Sequence, residues 1–183
     1  MKVAATNFGS ADFEPEYLAL YKDTEKLLQK MMETRNRVVI QTGEGMLVLW
    51  TALKSTLKPG DRVLVLSTGL FGEGFGDMAK ALGCEIRVLD FGYDETIHDF
   101  DVVEKAIVEF KPKMITMVQN ETPSGTTNPV KEIGDLKVKY GVPLLCVDIV
   151  SGLGGTPIHV EDWHVDFALG GSQKCLSAPA NWS

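Results

Sequence analysis

The sequence predicts an α/β protein: a mostly parallel sheet with helices on both faces. Short Val/Ile/Leu runs alternate along the chain with longer amphipathic segments, and parallel strands need crossovers of the kind helices supply. The apolar runs lack polar alternation, as strands covered on both faces do. Glycine-rich turns follow several of the runs, where a strand hands over to a helix.

Taken in order, the first element lies between Pro15 and Glu33. There Tyr17, Leu20, Tyr21, Leu27, Leu28, Met31 and Met32 recur at helical spacing with charges between them. RVVIQTGEG then reads as a short strand ending in glycines, and MLVLWTALKSTL as an apolar helix stopped by Lys58-Pro59-Gly60. The strand–turn–helix unit recurs as RVLVLS before TGLFGEGFGDMAKALG, CEIRVLDF before DETIHDFDVVEKAIVEF, and MITMVQNE before PVKEIGDLKVKYG. PLLCVDIV with its glycine-rich loop, and finally VDFALGG, close the series.

Composition bounds the function. At 183 residues and 44% hydrophobic, the chain has enough apolar material for one core, so one domain is expected over 1–183. A net charge of -7 and scattered Lys and Arg argue against a nucleic-acid or acidic-membrane binder, which needs a clustered basic face. No stretch approaches the roughly 18 apolar residues of a membrane span, and MKVAATNFGSADF lacks the pattern of a signal peptide. A soluble cytoplasmic protein is expected. Cys84, Cys146 and Cys175 form no CxxC pair and have no histidine at ligand spacing, so neither a disulfide framework nor a metal site is expected.

In open parallel sheets ligands bind beyond the carboxyl ends of the strands. Five stretches fall there. In TGEGM, the backbone N–H groups of Gly45 and Met46 face any anion at a helix start, unless the glycines serve only a tight turn. GLFGEGF offers Phe71 as an aromatic plate, or Phe71 and Phe75 as core residues. QNETPSGTTNP carries Asn120, Thr122 and Ser124 in a turn shaped by Pro123 and Gly125. Asp148 closes the apolar run LLCVD; a buried carboxylate needs a partner, either a helix end, a lysine or a ligand. Lys174, in GGSQKCLSAP, is its complement. Together they suit a cofactor with a cationic ring nitrogen and an aldehyde that a lysine can capture.

With one feature per strand end, in this order, the chain resembles the class V group of fold-type-I pyridoxal 5'-phosphate enzymes, and most nearly the alanine–glyoxylate and serine–pyruvate aminotransferases. The resemblance rests on TGEGM, GLFGEGF, NETPSGTTNPV and VDIVSGLGGTPIHVEDWHVDFALGGSQKCLSAP. It implies that Lys174 holds the cofactor as an imine and carries the proton to the substrate α-carbon, and that Asp148 keeps the pyridine nitrogen protonated. It further implies that Phe71 stacks on the ring, Val150 packs its other face, and Thr122 bonds near the phenolic oxygen. Gln173, with the N–H groups of Gly45 and Met46, would hold the phosphate. Glu44 stands in this phosphate turn where relatives carry serine, bringing a carboxylate near a dianion unless it points away.

The implied substrates are small: an amino acid of alanine or serine type and a 2-oxo acid such as glyoxylate or pyruvate. The chain ends nine residues after the lysine, so 1–183 corresponds to the cofactor-binding large domain, without the small domain or the substrate-gripping arginine. A separate polypeptide supplying the C-terminal half is one expectation; a truncated, inactive scaffold is another. Homo- or hetero-oligomer formation is expected from an open sheet edge. A cysteine desulfurase or lyase of the same fold is the alternative activity, disfavoured because Phe71 stands where those enzymes place a histidine. Cys175, His159, His164, Trp50 and Trp163 read as packing or surface residues.

Overall fold

A computed structural model describes residues 14–178 of the chain. Five strands form one parallel sheet: β1 (Arg62–Ser67), β2 (Glu85–Asp90), β3 (Met114–Val118), β4 (Leu144–Asp148) and β5 (Phe167–Leu169), in the spatial order β2-β1-β3-β4-β5. The register sets Val63 beside both Ile86 and Met114, and Val118 beside Asp148, which in turn faces Leu169. Five helices complete the fold: α1 (Pro15–Met31), α2 (Gly45–Thr56), α3 (Leu70–Ala81), α4 (Phe100–Phe110) and α5 (Val130–Tyr140).

The period of two along each strand divides the core into two halves. Val63, Val65, Met114 and Cys146 pack on one face with Leu49 and Leu53 of α2 and Phe75 and Ala79 of α3. Leu64, Leu66, Ile115, Met117, Leu145 and Val147 pack on the other with Val103 and Ile107 of α4 and Ile133 of α5. Each fully buried Leu or Phe here contributes about 1.5–3 kcal/mol relative to exposure. The expected α/β sheet with helices on both faces is what forms.

Two sequence-based expectations fail. RVVIQ is not a strand: two of its amides bond to α1 side chains instead of a neighbouring strand. Ile40 N–H donates to Tyr21 Oη at 2.9 Å and Val38 N–H to Glu25 Oε1 at 3.3 Å, while Val39 is left 77% exposed. Nor are both faces of every strand covered. β2 lies at the sheet edge, where Val88 is exposed and Arg87 lies over the Phe110 ring.

Helix ends follow local chemistry. Pro15 opens α1, where its missing N–H is no loss, and Asp99 caps α4 by accepting from Val102 N–H at 3.1 Å. α5 ends on Gly141 at φ 64°, whereas α4 ends on Lys111 at φ 50°, the same left-handed region but with a Cβ. Relief of that backbone cost exceeds the extra freedom a glycine gains on unfolding. Lys111→Gly is therefore expected to stabilise the chain by about 0.5–1 kcal/mol, read as a higher urea midpoint at unchanged m-value.

Candidate active site

β4 delivers Asp148 to the carboxyl edge of the sheet on the α2/α3 side, the face that also carries Cys146. Only 5% of it is exposed, and its Oδ1 accepts from Val150 N–H at 2.7 Å. Burial pushes its carboxyl from the ordinary 3.8 up to about 6. The Val150 N–H and the charge of Lys174 oppose that rise, and the charge of Glu121 adds to it.

α2 begins beside this carboxylate. Its cap position, Glu44, is exposed and makes no side-chain bond to the helix, and the first turn holds no acid, so no side chain caps the N–H groups that open α2 at Gly45 and Met46. Gly45 is buried: a Cβ there would lie 3.3 Å from Val150 and 3.8 Å from Gln173 Nε2. On the far side a Cβ on Gly171 would meet Gln173 Oε1 at 2.6 Å and Val150 at 3.0 Å. Gly45, Val150 and Gln173, 128 positions apart at the extremes, thus share one small space.

That space is chemically unfinished. Ser172 Oγ and Gln173 Oε1 are buried without a hydrogen-bond partner among the described residues. An unmade buried hydrogen bond costs on the order of 1–3 kcal/mol, so a polar ligand suits this space: the Ser172 hydroxyl can donate to it, whereas Gln173 Oε1 needs a donor from it. The N–H groups at the uncapped start of α2, the Ser172 hydroxyl and Gln173 Nε2, which faces Gly45, are donors a phosphate can use, and the neighbouring buried carboxylate fits a cationic ring nitrogen. Pyridoxal phosphate carries both groups.

The two phenylalanines divide the alternatives between them. Phe75 is fully buried core; Phe71, in the first turn of α3, is half-buried and packs at the edge of the same cluster. In the loop after β3, Asn120 Nδ2 donates to Thr127 Oγ1 and Ser124 bonds Thr126, so both fold the turn. Thr122 is the member that reaches across, bonding the Ser151 hydroxyl. Lys174 sits in the turn after β5, exposed, its carbonyl accepting from Ser177 N–H. It acts on Asp148 through space, and the two make no ion pair within 4.0 Å among the described residues. Among the described residues, the one hydrogen bond of the Asp148 side chain is to Val150 N–H, two residues on.

Sequence reasoning missed Glu121, Ser151 and Ser172. Glu121 is fully buried, and its two oxygens accept from Phe71 N–H at 3.0 Å and Gly72 N–H at 3.2 Å. It follows β3 after the polar pair Gln119-Asn120, so unlike Asp148, which closes its strand, it carried no signal of burial in the sequence. Cys175 is exposed and donates to Ser151 O at 3.3 Å, seated against the Gly154–Gly155 turn. His159 pairs with Glu33 at 2.7 Å and edges onto Trp163, a surface role as expected. A groove of about 800 Å3 lies at the opposite, amino ends of the strands, lined by Arg62, Glu85, Lys113 and Tyr140. None of the candidate residues lines it, and its Lys113 is already bound to Asp61 and to Thr56 O.

Residues 2–180 match the family model of the class-V aminotransferases. The chain belongs to the class V aminotransferases. It is 36% identical over 168 residues to the pyridoxamine–pyruvate transaminase of Mesorhizobium japonicum, covering 92% of this chain and 42% of that protein. An uncharacterised aminotransferase of Methanocaldococcus jannaschii is 38% identical over 165 residues, 90% of this chain and 42% of its own length. The crystal structure of ureidoglycine–glyoxylate aminotransferase from Bacillus subtilis superposes with a TM-score of 0.93 at 30% identity, over 99% of this chain and 46% of that one. This class V chain therefore spans less than half the length of these relatives.

Proposed function

We propose that the chain is the cofactor-binding portion, residues 1–183, of a pyridoxal 5'-phosphate-dependent aminotransferase. It moves an amino group from an amino acid of alanine or serine type to a 2-oxo acid such as glyoxylate or pyruvate. The observation that carries this reading is the buried Asp148 at the end of β4, with Lys174 near enough to act on its charge and an uncapped helix start beside both. Family membership and the names of the relatives support the reaction class.

When bound, pyridoxal phosphate supplies an electron sink for charge left on the substrate α-carbon. The chain's own residues do the rest. Gly45 and Met46 N–H groups, Ser172 and Gln173 would hold the phosphate, Phe71 and Val150 would pack on the ring, and Thr122 would offer a hydrogen bond near its phenolic oxygen. Asp148, ionised above about pH 6, keeps a proton on the ring nitrogen, since a carboxylate out of water favours a cationic partner. Lys174 Nζ would anchor the cofactor and would be the group that takes and returns the proton at the substrate carbon. The part of the relatives that this chain does not span supplies the arginine for the substrate carboxylate, on the same or a separate polypeptide, in a homo- or hetero-oligomer. The setting is cytoplasmic; among the described residues no helix is long and apolar enough to cross a membrane.

The test is an absorption spectrum of the chain with pyridoxal phosphate, beside Lys174→Ala. A visible band that borohydride fixes to the Lys174 peptide, and that the variant lacks, is the expected result. Cofactor bound equally by both proteins would sink the assignment of Lys174; no binding by either would sink the cofactor reading.

A further inference from the structure

Glu121 is a fully buried carboxylate that the roles above leave without a task. Among the described residues it has no cationic side chain within ion-pair distance; its counter-charge is the start of α3, whose Phe71 and Gly72 N–H groups it accepts from. The contact is tight, for a Cβ on Gly69 would lie 2.9 Å from Glu121 Cγ. The backbone of Glu121 is equally committed. Its N–H donates to Thr126 O at 2.9 Å and its carbonyl accepts from Gly125 N–H at 2.8 Å, closing the turn that carries Thr122.

One residue therefore joins two elements that are otherwise 50 positions apart in sequence. Through its side chain it holds the turn bearing Phe71, and through its main chain the turn bearing Thr122. Thr122 in turn bonds Ser151, three residues past Asp148. A simple helix cap explains the two amide bonds but gives no reason for burying the carboxylate close enough to Asp148 for like charges to interact, a cost that an exposed Ser or Thr cap avoids.

We propose that Glu121 is a positioning residue that locks Phe71 and Thr122 into one rigid unit beside Asp148, so that the ring of the cofactor meets a preset plate and hydroxyl. This rests on the cofactor reading above. Preorganisation of this kind raises affinity by removing the cost of ordering the contacts at the moment of binding. Glu121→Gln has the same shape, yet one of its two polar atoms becomes a donor that faces a backbone N–H, which unlocks one of the two amides.

The experiment is a titration of the chain with pyridoxal 5'-phosphate in four forms: wild type, Glu121→Gln, Phe71→Leu and the double variant. Affinity and induced circular dichroism of the cofactor band are read together. Glu121→Gln is expected to weaken binding on the order of tenfold and to diminish the induced band, but to cost less than about twofold when Phe71 is already Leu, because the two act as a unit. The same loss in both backgrounds, or an unchanged affinity and band in Glu121→Gln, overturns the role and leaves a helix cap. Failure of the wild type to bind overturns the cofactor reading and this role with it. If Glu121→Gln does not fold by far-ultraviolet circular dichroism, Glu121→Asp takes its place: it keeps the charge but is too short to reach both amides, and the same coupling to Phe71 is expected.

Discussion

Asp148→Asn is expected to make the ligand-free protein more stable at pH 7.5 and to strip the proposed cofactor site of its charge for the ring nitrogen. Both effects have one cause. The carboxyl is held at about 6 in the fold against 3.8 outside it, mainly by burial, so the native state binds its proton more tightly than the unfolded chain does. For a group with a raised folded value, stability is full below about pH 4 and declines as pH rises from there through about 6. Above that window the fold carries a buried charge, at a cost on the order of 1–3 kcal/mol. Asparagine keeps an acceptor for Val150 N–H without the charge.

The stability curves of the two proteins should coincide near pH 3.5, separate from about pH 4, and stay apart above about pH 7. Other groups titrate too, but both proteins share them, so the difference curve isolates Asp148. Urea midpoints across this range are the measurement, and identical midpoints at pH 7.5 would show that the carboxylate is not penalised. The penalty has a use. In the proposed cofactor site, a carboxylate poorly solvated in the apo fold is strongly drawn to a protonated ring nitrogen, and removing such a preorganised charge from an enzyme that uses it costs on the order of 10^2–10^3 in rate. A destabilising native charge retained at a strand end is what a functional site, rather than a scaffold, would carry.

Much of this was legible in the sequence because it depended on local pattern. Unbroken apolar runs reported β1, β3 and β4, which are covered on both faces, and an aspartate at the end of one such run could only lie at the sheet's carboxyl edge. The failures share a different origin. RVVIQ has the composition of a strand, but composition cannot say that Tyr21 and Glu25 of the preceding helix would take up its amides. Glu121 sits in a polar loop and reads as solvated, since the amides that bury it are 50 residues earlier. Thr122 and Ser124 are indistinguishable as hydroxyls in a turn; only the fold shows that one closes the turn and the other reaches Ser151. Gly45, Val150 and Gln173 could be assigned to one site by resemblance, whereas their meeting in space is a property of the crossovers.

Gly134→Ala is expected to be the most destabilising of the small substitutions in this chain, although alanine is the better helix former by about 1 kcal/mol. Gly134 lies in the middle of α5 and is buried. A Cβ there would overlap the Trp163 carbonyl oxygen, with the carbonyl carbon 2.9 Å away, and both atoms belong to backbone. That backbone has little room to retreat. Trp163 N–H donates to His159 O, His164 N–H to Glu161 O and Val165 N–H to Val160 O, while Lys137 bonds both His164 O and Asp166. Either α5 lifts from the sheet face where Ile133 is buried, or the 159–166 loop shifts, and overpacking against fixed backbone costs about 3 kcal/mol or more. The damage should reach the site as well, because that loop leads directly into β5 and the turn bearing Gln173 and Lys174. Gly74→Ala provides the control. It makes the same chemical change inside α3, where a Cβ meets nothing within 4 Å, and should stabilise the chain by up to about 1 kcal/mol. Urea midpoints moving in opposite directions for the two variants would confirm that the approach of α5 to the Trp163 carbonyl, and not helix propensity, selects glycine at 134. A Gly134→Ala protein as stable as the wild type would mean that this approach is not held in solution.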